Sequence, residues 1–161
     1  MAVLSQEEME SRSATIRGAG KTVVFTNGCF DLVHRGHVEL LKRAKGEGDY
    51  LFVGINGDRS VRRLKGEDRP VQSEEDRAEI IDALAAVDDV TIFHEDTPEK
   101  LIKRVKPDVL VKGADYEEHV IVGATDVRSW EGRIVTFPLV EGRGTRLLLE
   151  RIVARSRGKN A

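Results

Sequence analysis

Hydrophobic residues along this 161-residue chain alternate between short continuous runs and helix-like spacing. The runs are rich in β-branched and aromatic residues, which predicts buried strands. They lie at residues 22–26, 50–55, 90–93, 109–111 and 133–137. Between them, apolar residues recur every three or four positions, as in amphipathic helices. This alternation predicts an α/β fold, a Rossmann-like parallel sheet of about five strands with helices on both faces.

The first 20 residues precede the first predicted strand, and the last predicted helix follows the fifth. Residues 1–20 precede the first strand, and Ser5 and Gly18 are suited to begin and end a short helix, so we expect a surface helix or an arm there. Residues 21–161 then form the domain that carries the chemistry. In its last helix we expect four apolar side chains to face inward. They are Leu148, Leu149, Ile152 and Val153.

The segment at residues 21–44 carries the most informative pattern. Its strand is followed by Asn27-Gly28, which we expect to break it, and helical spacing begins at Gly36. A helix that follows a parallel strand points its N-terminus at the carboxyl edge of the sheet, where free N–H groups and the helix dipole attract anions. His34 and His37 fall in this first turn and point the same way. Gly36 lets a ligand approach the backbone closely. We therefore predict a phosphate site.

Composition narrows the class of protein. A formal net charge of -2 argues against a general nucleic-acid binder, which needs a basic face. No apolar run approaches the length of a membrane span, about 18 residues, and the first residues lack the basic and apolar regions of a secretory signal. The single cysteine, Cys29, permits no internal disulfide, which fits a cytoplasmic protein. We interpret it as a small turn residue rather than a reactive thiol.

Other phosphate and metal sites fit the sequence poorly. Neither a GxGxxG fingerprint after the first strand nor a GxxxxGK[ST] loop is present. A zinc site needs three or four N, S or O ligands, and no matching set accompanies the two histidines, so we expect no metal site built by the protein. His94 and His119 belong to no motif, and we expect them to be structural or solvent-facing.

The sequence GCFDLVHRGH at residues 28–37 resembles the signature of the HxGH nucleotidyltransferases, a cytidylyltransferase-like family that joins a nucleoside monophosphate to a small phosphorylated substrate. The resemblance extends over residues 20–155. Three further blocks read like the adenylyltransferases of ADP-heptose synthesis within that family. They are RLKGEDRPV, EEDRAEIIDAL and LVKGADY.

The resemblance implies transfer of AMP from ATP to D-glycero-β-D-manno-heptose 1-phosphate, with release of pyrophosphate and with Mg²⁺ carried by ATP. The product, ADP-heptose, is a precursor of the lipopolysaccharide core. The family often pairs chains, which implies a homodimer. In many bacteria this enzyme is fused to a sugar kinase. No kinase half is present in this sequence, so we expect a stand-alone form with a separate sugar kinase as its pathway partner.

The start of the helix at Gly36 and the resemblance to the family together indicate the site residues. We expect His34 and His37 to donate to the ATP phosphates, and Lys65 and Arg69 to close over them from a mobile loop, these four forming the catalytic set. By resemblance, Asp31 orders the signature turn, which lies between the first strand and the helix that begins at Gly36, or the sugar-phosphate pocket. The predicted substrate-binding set is Asp31, Lys65 and Arg69. The predicted nucleotide-binding set is Asn27, Gly28, Cys29, Phe30, His34, Gly36, His37, Lys112, Gly144, Thr145 and Arg146.

One block departs from the family pattern. The family's last motif is a Ser/Thr-rich helix start, often ISSTxI, whose hydroxyls hold the triphosphate. This chain has Arg143-Gly144-Thr145-Arg146-Leu147 and keeps one hydroxyl, at Thr145. We expect Thr145 and Arg146 to hold the β/γ end of the triphosphate, with charge from Arg143 as well.

Several alternatives remain open. Within the family they are cytidylyltransferases for glycerol 3-phosphate or phosphoethanolamine, adenylyltransferases for flavin or pantetheine phosphate, and a heptose enzyme that takes the α-anomer and GTP. Outside it, a non-catalytic nucleotide-binding module predicts an eroded signature, whereas both histidines and the basic loop are intact. A flavodoxin-like phosphate-binding module is the weakest alternative.

Overall fold

The computed structural model describes residues 3–113, 120–138, 142 and 144–157. Strands and helices alternate along them as the hydrophobic pattern predicts. In chain order they are α1 (Gln6–Gly18), β1 (Val23–Gly28), α2 (Arg35–Lys45), β2 (Tyr50–Asn56), α3 (Asp58–Lys65), α4 (Glu74–Asp82), β3 (Asp89–Phe93), α5 (Glu99–Val105), β4 (Val109–Gly113), α6 (Ala124–Ser129), β5 (Arg133–Phe137) and α7 (Thr145–Arg157).

The five strands form one sheet in the order β3-β2-β1-β4-β5. All four neighbouring pairs are parallel, with Phe25 of β1 opposite Phe52 of β2 and Leu110 of β4. The order reverses at β1, because β2 and β3 lie on one side of it and β4 and β5 on the other. Sheets of this kind bind ligands outside the carboxyl ends of the strands at such a switch point. The predicted fold class is confirmed.

Two apolar layers cover the two faces of the sheet. Side chains alternate across a strand, so Phe25 and Val24 of β1 enter different layers. In the layer that contains Phe25, the buried helical side chains come from α1, α5 and α6. They include Met9, Leu101, Ile102 and Val127. In the layer that contains Val24, the buried helical side chains come from α2 and α4. They include Leu41, Ala44, Ala78 and Ile81. Helices therefore lie on both faces, as predicted.

Helix α1 is the predicted N-terminal helix, and it packs against the sheet. Ser5 caps it, and Ser5 and Glu8 form a complete capping box. Met9 and Ser13 are fully buried, and the Ser13 hydroxyl donates to the Val105 carbonyl at 2.6 Å. Before the helix, Leu4 forms a bridge to Thr91 of β3. These contacts make the helix part of the core, while the domain boundary at residue 20 stays a prediction.

Two local predictions are wrong. Asn27-Gly28 does not break the first strand, because β1 continues through both residues. Ile152 and Val153 of α7 do not face inward, since they are 53% and 46% exposed. Among the helices described, none is long and apolar enough to cross a membrane.

Candidate active site

A cleft of about 750 Å³ opens at the carboxyl ends of β1 and β4, between the N-termini of α2 and α7. It lies at the switch point of the sheet, where the order of strands reverses. Every predicted site residue that the structure describes contributes to its lining. They are Asn27, Gly28, Cys29, Phe30, Asp31, His34, Gly36, His37, Lys65, Arg69, Lys112, Gly144, Thr145 and Arg146. The fold therefore brings together residues that are up to about 120 positions apart in sequence, although their individual roles stay predictions.

The two signature histidines cap helix α2 and hold each other in place. His34 is the N-cap, and its Nδ1 accepts from the Gly36 N–H at 3.1 Å. The His34 N–H in turn donates to Nδ1 of His37 at 3.4 Å. The rings stack with centroids 3.8 Å apart and planes 20° apart. Because each Nδ1 accepts a hydrogen bond, the hydrogen-bond network assigns the proton of each neutral ring to Nε2. Both rings therefore have an Nε2–H donor that the cap does not use.

Both imidazoles are neutral at pH 7. Burial lowers the pKa of His34 from its ordinary value. Burial also lowers the pKa of His37, together with the proximity of His34, to about 4. The edge of the Phe30 ring lies against His37, with ring centroids 5.2 Å apart. Neutral imidazoles with protonated Nε2 atoms are hydrogen-bond donors rather than cations or bases in this state.

Asp31 connects the signature turn to the loop that follows α3. Its buried carboxylate accepts from Nε of Arg69 at 2.5 Å, from the Val71 N–H at 3.0 Å and from the Gln72 N–H at 3.2 Å. Burial opposes the charge, but the bonds from Val71, Arg69 and Gln72 outweigh it and lower the pKa of Asp31. Asp31 thus links the signature turn to this loop and holds Arg69 beside it, while the roles of Asp31 and Arg69 towards the substrates stay predictions.

The start of α7 is docked on the same turn. The Thr145 hydroxyl donates to the main-chain carbonyl of Asp31 at 2.9 Å. The Arg146 side chain is 91% exposed and its Nε donates to Glu150 at 2.9 Å. In this arrangement the Thr145 hydroxyl hydrogen serves the protein's own backbone, which differs from the predicted contact with a triphosphate. Arg143, which we expected to add charge, lies outside the described residues.

Lys112 and Lys65 bring positive charge to the cleft from two sides. Lys112, at the end of β4, is half-buried and donates to the side-chain oxygen of Asn27. Burial lowers the pKa of Lys112 to about 8. Lys65 is the last residue of α3. Three members of the LVKGADY block, Ala114, Asp115 and Tyr116, lie outside the described residues.

Three other residues that the sequence singled out, Cys29, His94 and His119, give no indication of a second site among the described residues. Burial raises the pKa of the Cys29 thiol, which fits a small turn residue rather than a thiolate. The exposed His94 lies 3.8 Å from Glu74, away from the cleft, and His119 is outside the described residues. Within the described part of the chain, no group of three or more His, Cys, Asp or Glu side chains is arranged to hold a metal ion.

Sequence reasoning missed two features of this region. Arg77 of α4 is fully buried behind the signature turn, and the guanidinium of Arg43 lies 5.5 Å from the centre of the Phe137 ring at the edge of the cleft. A signal for Arg77 was present, because it lies four positions before Ile81, on the buried face of α4. No comparable signal links Arg43 to Phe137, which are 94 positions apart and meet only in the folded chain.

A switch-point cleft with two neutral imidazole donors at a helix N-terminus is typical of phosphate sites in α/β proteins that bind nucleotides. The chain belongs to the cytidylyltransferase-like family, whose model matches residues 25–146. It is thus a nucleotidyltransferase, and the resemblance seen in the sequence is confirmed at this level.

Several known proteins are similar in sequence or structure to this chain. The bifunctional protein HldE of Gluconobacter oxydans is 59% identical over 130 residues, which is 81% of this chain and 27% of that protein. The HldE of Syntrophotalea carbinolica is 52% identical over 139 residues, 86% of this chain and 28% of that protein. The chain thus spans just over a quarter of the length of these relatives. The crystal structure of a lipopolysaccharide core biosynthesis protein from Thermoplasma volcanium is also similar. It has a TM-score of 0.63 and 28% identity, over 77% of this chain and 100% of that chain.

Proposed function

We propose that this enzyme transfers AMP from ATP to D-glycero-β-D-manno-heptose 1-phosphate, which gives ADP-heptose and pyrophosphate. The observation that carries the proposal is the pair of Nε2–H donors of His34 and His37, presented to the cleft at the N-terminus of α2. The choice of substrates is supported by the four sequence blocks and by the similarity to HldE proteins and to a lipopolysaccharide core biosynthesis protein.

The reaction needs alignment and charge stabilisation more than acid–base chemistry. A phosphate oxygen of the sugar phosphate attacks the α-phosphorus of ATP and forms the new P–O bond. The bond from the α-phosphorus to the α–β bridging oxygen breaks, and its electron pair leaves on pyrophosphate. The attacking oxygen is already anionic near pH 7, because the second pKa of a phosphate monoester is about 6. A general base is therefore not required.

The residues of the cleft match these needs. Neutral Nε2–H donors stabilise negative charge that grows on the transferring and leaving phosphates, and they do so without a proton transfer. The N-terminus of α2 adds its dipole, and Gly36 has no side chain to block a phosphate. Lys65 and Lys112 supply positive charge from α3 and β4, on separate sides of the cleft. Held between these groups, the triphosphate has its α-phosphorus in line for attack.

Magnesium fits this scheme as part of the nucleotide. The described residues offer no cluster of carboxylates and imidazoles for an ion of their own, and Mg²⁺ is commonly bound through substrate phosphates. When bound, the ion offsets charge on the triphosphate. The protein's share is the orientation of the phosphates by the donors of the cleft.

The assembly and the pathway are proposed on the same resemblance. We propose a homodimer, a cytoplasmic location and a separate sugar kinase that supplies the heptose 1-phosphate. Light scattering on the purified protein tests the first, since a monomer of 17.9 kDa and its dimer are readily distinguished.

Pyrophosphate release tests the substrates directly. The purified protein is incubated with Mg²⁺ and with ATP, CTP or GTP, each against the α- and β-anomers of heptose 1-phosphate and against glycerol 3-phosphate. We expect release with ATP and the β-anomer. Release only with CTP and glycerol 3-phosphate keeps the mechanism and moves the enzyme to another branch of the family. ATP binding without release from any pair contradicts the proposal and favours a non-catalytic module.

A further inference from the structure

Arg77 is a buried arginine that binds segments bordering the cleft but does not itself line it. It is 0% exposed, and it is absent from the lining of the cleft. Its guanidinium donates four hydrogen bonds. They run from Nη1 to the Cys29 carbonyl at 2.5 Å, from Nη2 to the Asn56 carbonyl and to Oδ1 of Asp58 at 2.8 Å each, and from Nε to the Gln72 carbonyl at 3.1 Å.

These four acceptors lie on three separate segments that meet at the cleft. Cys29 belongs to the signature turn, and Asn56 and Asp58 flank the turn from β2 into α3, the helix that ends at Lys65. Gln72 lies in the loop that the carboxylate of Asp31 also binds. One planar guanidinium therefore fixes the relative positions of three segments. A lysine cannot replace it, because an ammonium lacks the rigid fork of donors.

The bond to Cys29 has a consequence for the neighbouring N–H group. In a trans peptide, the carbonyl and the N–H of the next residue point in opposite directions from the same plane. Since the Cys29 carbonyl points at the buried Arg77, the Phe30 N–H points the other way, and Phe30 lines the cleft. Phe30 has φ 48° and Leu32 has φ 56°, both left-handed, as in turns whose successive N–H groups form anion-binding concavities.

We infer that Arg77 is a positioning residue that aims the Phe30 N–H at a phosphate of the bound nucleotide. The inference rests on the proposed nucleotidyl transfer in this cleft, and it adds a residue that never touches the substrate. The alternative is that Arg77 only stabilises the fold. The two differ in what a substitution changes, because a mispositioned donor lowers turnover even when the protein stays folded.

The test compares Arg77→Lys with Ile81→Ala. Ile81 lies one turn further along α4 on the same buried face, so its truncation destabilises the same helix while it leaves the four hydrogen bonds of the Arg77 guanidinium in place. Both variants are assayed at a temperature where each is fully folded, with the substrate pair that the wild type turns over. For Arg77→Lys we expect kcat to fall about 10- to 100-fold, with the KM for ATP changed less than about 3-fold. Ile81→Ala is expected to keep kcat.

A second readout needs no turnover. In ¹H–¹⁵N spectra, addition of ATP and Mg²⁺ is expected to shift the Phe30 amide of the wild type and of Ile81→Ala, but to shift it little in Arg77→Lys. A kcat loss no larger than that of Ile81→Ala, or an equal Phe30 shift in all three proteins, overturns the inference. If no substrate pair is turned over, the proposed function fails, while the spectra still decide the role of Arg77.

Discussion

The main-chain N–H of His34 donates to the ring of His37, and that ring stacks on the His34 ring. The same Nδ1 atoms that cap α2 thus fix the direction of the two Nε2–H groups. A ring nitrogen that accepts the capping bond cannot also donate to a phosphate. In this protein each ring uses Nδ1 for the cap and keeps its Nε2–H for the donor role that the proposed function assigns to it.

Substitutions at His37 can separate the roles of its two ring nitrogens. Asparagine places an oxygen near the position of Nδ1, so His37→Asn is expected to keep the cap and lose the donor to the cleft. Glutamine reaches the position of Nε2 with an N–H group, so His37→Gln is expected to keep part of the donor. We predict that turnover falls about 100-fold or more in His37→Asn and clearly less in His37→Gln. Steady-state pyrophosphate release measures both.

Thermal unfolding is the control for this pair. We expect both variants to melt within a few degrees of the wild type. The bond from the His34 N–H to Nδ1 of His37 is long, at 3.4 Å, so its replacement in His37→Asn or its loss in His37→Gln costs little stability. Near-normal turnover in His37→Asn contradicts the donor role of His37.

The low pKa of His37 makes stability depend on pH with a definite sign. The folded protein holds this ring neutral down to about pH 4, whereas the unfolded chain protonates it near 6.5. Between these values the unfolded state binds more protons, so the stability that the neutral His37 ring contributes above pH 6.5 is lost progressively as the pH falls from 6.5 to 4. From pH 7 to pH 5 we expect a loss of about 2 kcal/mol from this residue.

Urea unfolding at pH 7 and pH 5 measures this loss. Other groups titrate in the same range, so the informative quantity is the difference between the wild type and His37→Gln. The variant is expected to lose about 2 kcal/mol less over this interval. Equal losses in the two proteins contradict a neutral, buried His37.

The ion pair between Asp31 and Arg69 is expected to give a large coupling energy for unfolding. The Asp31 side chain is fully buried and Arg69 is 18% exposed, so removing either charge leaves the other poorly compensated. We predict that Asp31→Asn destabilises the protein by about 2–4 kcal/mol. Arg69→Met is expected to cost a similar amount, and the double variant less than the sum of the two. Urea unfolding of the three variants gives the coupling energy, and additive losses contradict the pairing.

Much of the fold and of the site could be predicted from the sequence because both are encoded locally. All five strands follow from short runs of β-branched residues, and the phosphate site follows from a strand, a turn and a helix start within 24 residues. The 14 predicted site residues share one cleft, since the strand ends of a parallel sheet meet at one edge.

Contacts between distant segments explain what could not be predicted. Nothing near Thr145 in sequence indicates that its hydroxyl bonds to Asp31, 114 positions away. Arg69 looks like a free loop cation until the fold places Asp31 beside it. Ile152 and Val153 show why periodicity alone fails, since an apolar spacing predicts a buried face only where another element covers it.

Lys112 predicts an activity that falls at alkaline pH. Its pKa of about 8 means that the ammonium loses its charge as the pH rises through 8. If this charge holds a phosphate, kcat/KM for ATP falls over the same range. We expect Lys112→Met to lower kcat/KM at pH 7 and to remove its decline above pH 8. Initial rates from pH 6.5 to 9.5 measure both, and an unchanged alkaline decline in the variant contradicts the role.

Stability provides the control for Lys112. Because the folded-state pKa is lowered, folding is disfavoured by this residue below pH 8, and that cost disappears as the pH rises towards 10.5. Lys112→Met removes the buried charge but also leaves Asn27 without its donor. We therefore expect unfolding at pH 7 to show no net loss of stability, so that any fall in kcat/KM reports on function.

Thr145 gives the last prediction, through its bond to the main chain of Asp31. Serine keeps the hydroxyl, whereas valine keeps the shape of threonine without a donor. We predict that Thr145→Val lowers the free energy of unfolding by about 1 kcal/mol and raises the KM for ATP, because the start of α7 is no longer fixed on the signature turn. Thr145→Ser is expected to match the wild type in both. If valine changes the KM without changing stability, the hydroxyl serves the triphosphate rather than Asp31, which restores the role predicted from the family motif.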